Sequence, residues 1–149
     1  MKTRIQSSKL GSLVFDEEEM PDFPRYTGKV PFGRHGVVEV NLTCLEGKEG
    51  DWQQLLSRAE LVYPKLVEVE RALLQQSQAR ILALHRSYFG HIWTGTEEAL
   101  VKTLTLHHWN IFDEGGIELW YEGGSEFNCL DVNLNLDSGM RVAEVRFDG

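Results

Sequence analysis

The chain lacks most of the features by which a sequence declares its chemistry. No run of about 18 apolar residues occurs, so no membrane-spanning helix is expected. The opening stretch MKTRIQSSK is basic but has no apolar segment behind it, so no signal peptide is expected. The two cysteines, Cys44 and Cys129, form no CxxC pair, which fits a reducing cytoplasm. Without secretion, the Asn41-Leu42-Thr43 sequon has no consequence. No phosphate-binding loop is present, because neither Gly115-Gly116 nor Gly123-Gly124 is followed by Lys-Ser or Lys-Thr. Gly123-Gly124-Ser125-Glu126 lacks the second flanking glycine of a nucleophile elbow.

The five histidines, His35, His85, His91, His107 and His108, do not form a ligand set by spacing. His85 and His91 are six apart, a poor fit to one helix face, and they bracket a helix end. His107 and His108 are consecutive on a predicted strand, so alternation sends them to opposite sides, where both cannot ligate one metal directly. No catalytic residue, cofactor or metal ligand is assigned. A site assembled from distant positions, such as His85 or His91 with Asp113, stays open, as does a carboxylate pair among the 23 acids.

Positive charge is scarce in one part of the chain. Residues 94–149 carry eleven acids against Lys102, Arg141 and Arg146, which accounts for the whole net charge of −8. Clustered negative charge repels itself, speeds association with a basic partner, and argues against nucleic acid, whose phosphates want Lys and Arg. Ordinary acidic solubility is the alternative reading.

What is present reads as one α+β domain over residues 1–149. Composition is globular, with 42% hydrophobic and 26% charged residues, and the length allows a core without staples. Residues 1–9 read as a loose tail. Three opening strands follow, Leu10 to Asp16, Tyr26 to Phe32 and Val37 to Cys44, with Cys44 on the core parity of Val38, Val40 and Leu42. Asp16 to Glu19 and the prolines after it read as a solvated loop. A helix is predicted from Asp51, with Gln54 completing a capping box, and Pro64 either kinks it or opens a second helix. Another helix runs through Ile81 to Phe89 and stops at Gly90, and a short one is capped by Thr94 with Glu97. Four closing strands fill residues 107–147, with turns at Asp113-Glu114-Gly115-Gly116 and Asp137-Ser138-Gly139. Cys129 is taken to open the third of them. The expected architecture is a largely antiparallel sheet with two to four helices on one face.

Several stretches resemble a family of small bacterial domains of unknown function. They are Tyr26-Thr27-Gly28-Lys29-Val30 with Val37-Val38-Glu39-Val40, the helical middle ending near Trp93, and the close from Leu104-Thr105-Leu106. In the close the shared positions are Ile111, Asp113, Glu118-Leu119-Trp120-Tyr121, Gly124, Phe127 and Gly149. Members often continue the phenylalanine with Trp-Gly-His, where this chain has Asn128-Cys129-Leu130. The resemblance implies a fold over residues 23–149 and carries no activity. Immunity proteins, which neutralise a toxin by binding it, are similar in size and charge.

The first functional reading is therefore a non-catalytic, cytoplasmic binding protein that covers a basic protein, in its concrete form a bacterial immunity protein against a basic toxin. Its expected surface is Asp113, Glu114, Glu118, Trp120, Glu122, Glu126 and Asp131. In the strand Ile117 to Glu122, alternation puts Trp120 on the wet face between two glutamates, the form of a binding hot spot. Packing of Trp120 under a neighbouring loop or helix is the alternative. A second reading is a small hydrolase or ligand-binding domain with a pocket between helices and sheet containing His85 or His91. A third is a scaffold module.

Overall fold

A helical middle separates two sets of strands, and that separation dictates the sheet. A computed structural model of the chain describes residues 3–16, 24–44, 52–90, 93 and 95–149. The first four strands are β1 (Arg4–Ser7), β2 (Gly11–Asp16), β3 (Arg25–Pro31) and β4 (Val37–Thr43). The last four are β5 (Thr105–Phe112), β6 (Ile117–Glu122), β7 (Asp131–Leu136) and β8 (Val142–Asp148). They form one open eight-stranded sheet in chain order. Each pair is antiparallel except β4 with β5, where Val40 lies beside Trp109 and Leu42 beside Ile111. Parallel neighbours need a long crossover, and the helices supply it. These are α1 (Trp52–Gln76), α2 (Gln78–Phe89) and α3 (Glu97–Val101). The expected α+β architecture is thus found, with eight strands rather than seven.

The helices and one face of the sheet share the core. Val38, Val40 and Leu42 of β4, Leu106, Trp109 and Ile111 of β5, and Leu119 of β6 are buried with Leu55, Leu66 and Leu73 of α1 and Ile81 of α2. Trp109 is wholly buried, and Tyr63 of α1 stacks on it with ring centroids 6.1 Å apart. Gly28 is required on this face, because an added Cβ would lie 2.4 Å from the Leu13 side chain. α1 runs unbroken through Pro64, which is exposed, so the proline neither splits the helix nor shifts its apolar phase. Arg58 donates to the carbonyls of Phe112 and Gly115, which ties α1 to the β5–β6 turn. No helix among the described residues is long and apolar enough to cross a membrane.

Four local expectations change. The stretch read as a tail contains β1, whose residues pair with β2 from Arg4 opposite Val14 to Ser7 opposite Gly11. Ile5, the alternating apolar residue of that strand, packs against the core, but four residues are too few for alternation to show in sequence. The α3 cap is Thr96, whose hydroxyl accepts from the Ala99 N–H, rather than Thr94, which lies outside the described residues with Asp51 and Glu17 to Glu19. Cys129 is an exposed turn residue with φ of 61°, and β7 begins at Asp131. In the β7–β8 turn the left-handed residue is Met140, φ 61°, and not Gly139. Asp137 sets that turn by accepting from the N–H groups of Gly139 and Arg141.

Candidate functional site: the open face of the sheet

The helices cover one side of the sheet, and the side chains of opposite parity line the other. On β6 these are Glu118, Trp120 and Glu122, and on β7 Asp131, Asn133 and Asn135. Cross-strand register makes them neighbours of Asn110 and His108 on β5 and of Arg146, Glu144 and Asp148 on β8. The same face continues over β4 and β3 through Asn41 and Thr27.

Glu118 organises this face. Its Oε1 accepts from Asn110 Nδ2 at 2.9 Å and from Trp120 Nε1 at 3.2 Å. Its Oε2 accepts from Asn133 Nδ2 at 3.1 Å and from Arg146 Nη2 at 3.5 Å. An ionised carboxylate has about four lone-pair sites, so four donors fill it. Because a carboxylate only accepts, Asn110 must turn its NH2 toward Glu118, which turns its carbonyl toward β4. Asn41 Nδ2 meets that carbonyl at 2.9 Å, and Thr27 Oγ1 donates to Asn41 Oδ1 at 2.8 Å. One carboxylate therefore fixes the orientation of a polar chain from β3 to β8. The side chain of Glu118 is only 14% exposed, and its charge is held inside this chain of bonds.

Trp120 lies flat against His108, with centroids 5.3 Å apart and planes at 16°. It is half-buried, clamped by the stack on one side and by Glu118 at its N–H. His108 and His107 do not alternate as expected. The register jumps between Leu106 and His108, so a bulge makes His107 an extra residue. Both rings then lie on the open face, with the two Nδ1 atoms 2.7 Å apart and His107 Nε2 3.4 Å from Asp131 Oδ2. Burial, and next the charge of His107, pull the His108 pKa down to about 4. With His108 neutral, one proton lies between the two Nδ1 atoms, and His107 Nε2 faces Asp131. No group of three or more His, Cys, Asp or Glu among the described residues is placed to hold a metal ion.

Glu122, Asp131 and Asp148 stand side by side in register across β6, β7 and β8. Like charges directly opposite destabilise a sheet. Here Asp131 is offset by His107 and Asp148 by Arg146 Nε at 3.6 Å, while Glu122 is exposed. Of the seven residues expected at the site, Glu118, Trp120, Glu122 and Asp131 share the open face. Asp113 and Glu114 sit in the exposed β5–β6 turn, at the Glu118 end of the strands and roughly 20 Å from Glu122 and Asp131 for six residues at 3.4 Å each. Glu126 lies in the short 3-10 turn Ser125–Phe127 of the β6–β7 connection. The sequence reading missed Asn41, His107, His108, Asn110, Asn133 and Arg146; the recurring wet-parity asparagines were the available signal.

Two further polar groups sit inside the molecule. Glu70, on the apolar face of α1 and 3% exposed, accepts from His35 Nε2 at 2.6 Å and from the Tyr121 hydroxyl at 2.7 Å. His35 Nδ1 accepts the Leu106 N–H, so the ring proton is on Nε2. Burial would raise the Glu70 pKa, but the hydrogen bonds of His35 and Tyr121, with the charge of Arg34, outweigh it and hold the pKa below the ordinary value. Burial and the adjacent Glu70 charge push Tyr121 well above 10. The cluster bolts α1 to β5, β6 and the turn at Gly33–His35. His85 is wholly buried, with Nε2 2.7 Å from the Glu126 carbonyl and the rings of Phe89, Trp93 and Phe127 around it. It is packed among these rings, and His91 lies outside the described residues.

Compared with protein-family models, curated proteins and solved structures, the chain matches none.

Proposed function

We propose that the chain is a non-catalytic binding protein whose open sheet face receives a basic protein, with a bacterial immunity protein against a basic toxin as the concrete form. The observation that carries this reading is the acidic half of that face. β5 to β8 present Glu118, Glu122, Asp131, Glu144 and Asp148 against the one guanidinium of Arg146. On β1 to β4 the opposing charges nearly balance, with Arg4, Arg25 and Lys29 beside Asp16 and Glu39. A basic partner is therefore drawn to one half of the face, where Trp120 offers an aromatic anchor.

Preorganisation supports the same reading. Side chains already ordered by Glu118 lose little rotamer freedom on docking, which removes part of the usual cost of association. Size fits as well. Eight strands about 4.8 Å apart, each about six residues long, make a face of roughly 40 by 20 Å, close to the ~800 Å² that one side of a standard interface covers. The acidic half alone is too small for a stable complex, so the partner extends over Asn41 and Thr27 as well. Blocking a nuclease-like cleft needs no chemistry, only carboxylates where phosphates would lie.

The test is capture from native cytoplasm at low salt, with the wild-type chain and a Glu122→Gln/Glu144→Gln/Asp148→Asn variant as parallel baits. A basic protein retained by the first and lost by the second supports the reading. Capture that is the same on both baits, or absent from both, removes it.

A further inference from the structure

A concavity lies away from the open face, on the helix side of the sheet. It is an open groove of about 700 Å³ between the second half of α1 and the β7–β8 turn. That volume is in the range of small-molecule sites, about 300–1,000 Å³. Its apolar lining comes from Val69 and Leu73 of α1 and from Met140 and Val142 across the gap. Three cations stand around it, Lys65, Arg80 and Arg141, against the carboxylate of Glu68. None of the three cations is ion-paired among the described residues. This is a local excess of positive charge on a chain of net charge −8.

A second, independent observation concerns the turn that closes the groove. Met140 holds φ of 61°, a conformation that costs a non-glycine residue roughly 1–2 kcal/mol, while Gly139 beside it does not adopt positive φ. A glycine at 140 would relieve that cost and remove the thioether from the lining. Strain at a cavity wall points to a role for the side chain, and a methionine adapts its shape to flexible apolar ligands.

We propose that this groove binds a small amphiphile with one anionic head and a flexible apolar tail. The tail lies along Val69, Leu73 and Met140. The head meets the guanidinium groups of Arg80 and Arg141, which suit the two oxygens of a carboxylate or phosphate monoester. The site is independent of the open face.

Isothermal titration calorimetry with octanoate, octyl phosphate, acetate and octyltrimethylammonium tests it. Saturable binding of octanoate or octyl phosphate is expected, and the tighter of the two identifies the head group. Acetate, without a tail, and octyltrimethylammonium, with the opposite charge, should bind at least about tenfold more weakly. Ala72→Trp fills the groove from an exposed helical position, and Arg80→Glu/Arg141→Glu reverses its charge. Each should cost at least about tenfold in affinity with an unchanged circular dichroism spectrum. No saturable binding of either anion, equal binding of the cation, or an unchanged affinity in Ala72→Trp would overturn the proposal. The open-face variant Glu122→Gln/Glu144→Gln/Asp148→Asn should bind octanoate normally, so the two proposals fail separately.

Discussion

Replacing Glu118 by Gln keeps the shape of the side chain and turns one of its two acceptors into a donor. The new NH2 has two places to go. On the Oε1 side it would face Asn110 and Trp120; Asn110 and Asn41 could reverse their amides with the Thr27 hydroxyl turning to accept, but the Trp120 N–H would be left without its acceptor. On the Oε2 side it faces Asn133 and Arg146. Arg146 is 42% exposed and already lies near Asp148, so it can turn away at little cost. Asn133 is fully buried; by reversing its amide it can offer the Oδ1 that now has no partner to the new NH2, which strands its Nδ2 in exchange. Either orientation strands about one donor, at a cost of roughly 1–3 kcal/mol. For a domain of this size that is a fall in Tm of roughly 2–10 °C. Urea unfolding followed by circular dichroism measures it. The loss should shrink when Asn133→Ala is already present, because the donor left stranded is then gone. A Glu118→Gln variant within about 0.5 kcal/mol of wild type would refute the idea that this carboxylate orders the face.

Other consequences follow from particular side chains. His108 has a folded pKa near 4, below its ordinary 6.5, so its neutral form is favoured in the native state. The stability it contributes is whole above about pH 6.5 and lost as pH falls toward 4; His108→Gln should flatten the wild-type decline in that window, and an unchanged slope would contradict the buried neutral ring. Glu70 is also held below its ordinary value, so its contribution is present above about pH 4.5 and lost as pH falls through the lower folded value. Glu70→Gln should weaken the acid-induced loss below pH 4.5 and lower stability at pH 7 by about 3 kcal/mol, since it breaks a buried charged cluster. Equal denaturation midpoints at pH 7 would dismiss the bolt between α1 and the sheet. Trp120→Ala should leave stability within about 1–2 kcal/mol of wild type while costing partner affinity at least about tenfold. Retained affinity would remove the anchor.

Alternation made much of the open face legible. Ile117, Leu119 and Tyr121 are buried while Glu118 and Trp120 face the other way, as period-two reading requires. It failed at His107 and His108, because a bulge inserts a residue and period two carries no sign of it. The wet parity of β7 also misled in part: Asn133 is buried, covered by the side chains that Glu118 gathers. Glu70 could have been noticed, standing four residues after Leu66 and three before Leu73 on the apolar stripe of α1. Its partners His35 and Tyr121 lie 35 and 51 residues away, and no local pattern connects them. The parallel seam between β4 and β5 was hidden for the same reason, since pairing across a helical crossover depends on packing rather than on neighbouring residues. Met140 shows the limit of turn chemistry: the glycine stands beside the left-handed position and not in it.

The most direct measurement of the docking account is the association rate of a captured basic partner at about 50 mM and about 0.5 M salt. It is made with the wild-type chain and with Glu122→Gln/Glu144→Gln/Asp148→Asn, three carboxylates that the bonds around Glu118 do not use. Wild type should associate at least about tenfold faster at the lower salt, and the variant should be slower there with a flattened salt dependence. Rates that respond neither to salt nor to the three substitutions would contradict an acidic docking face.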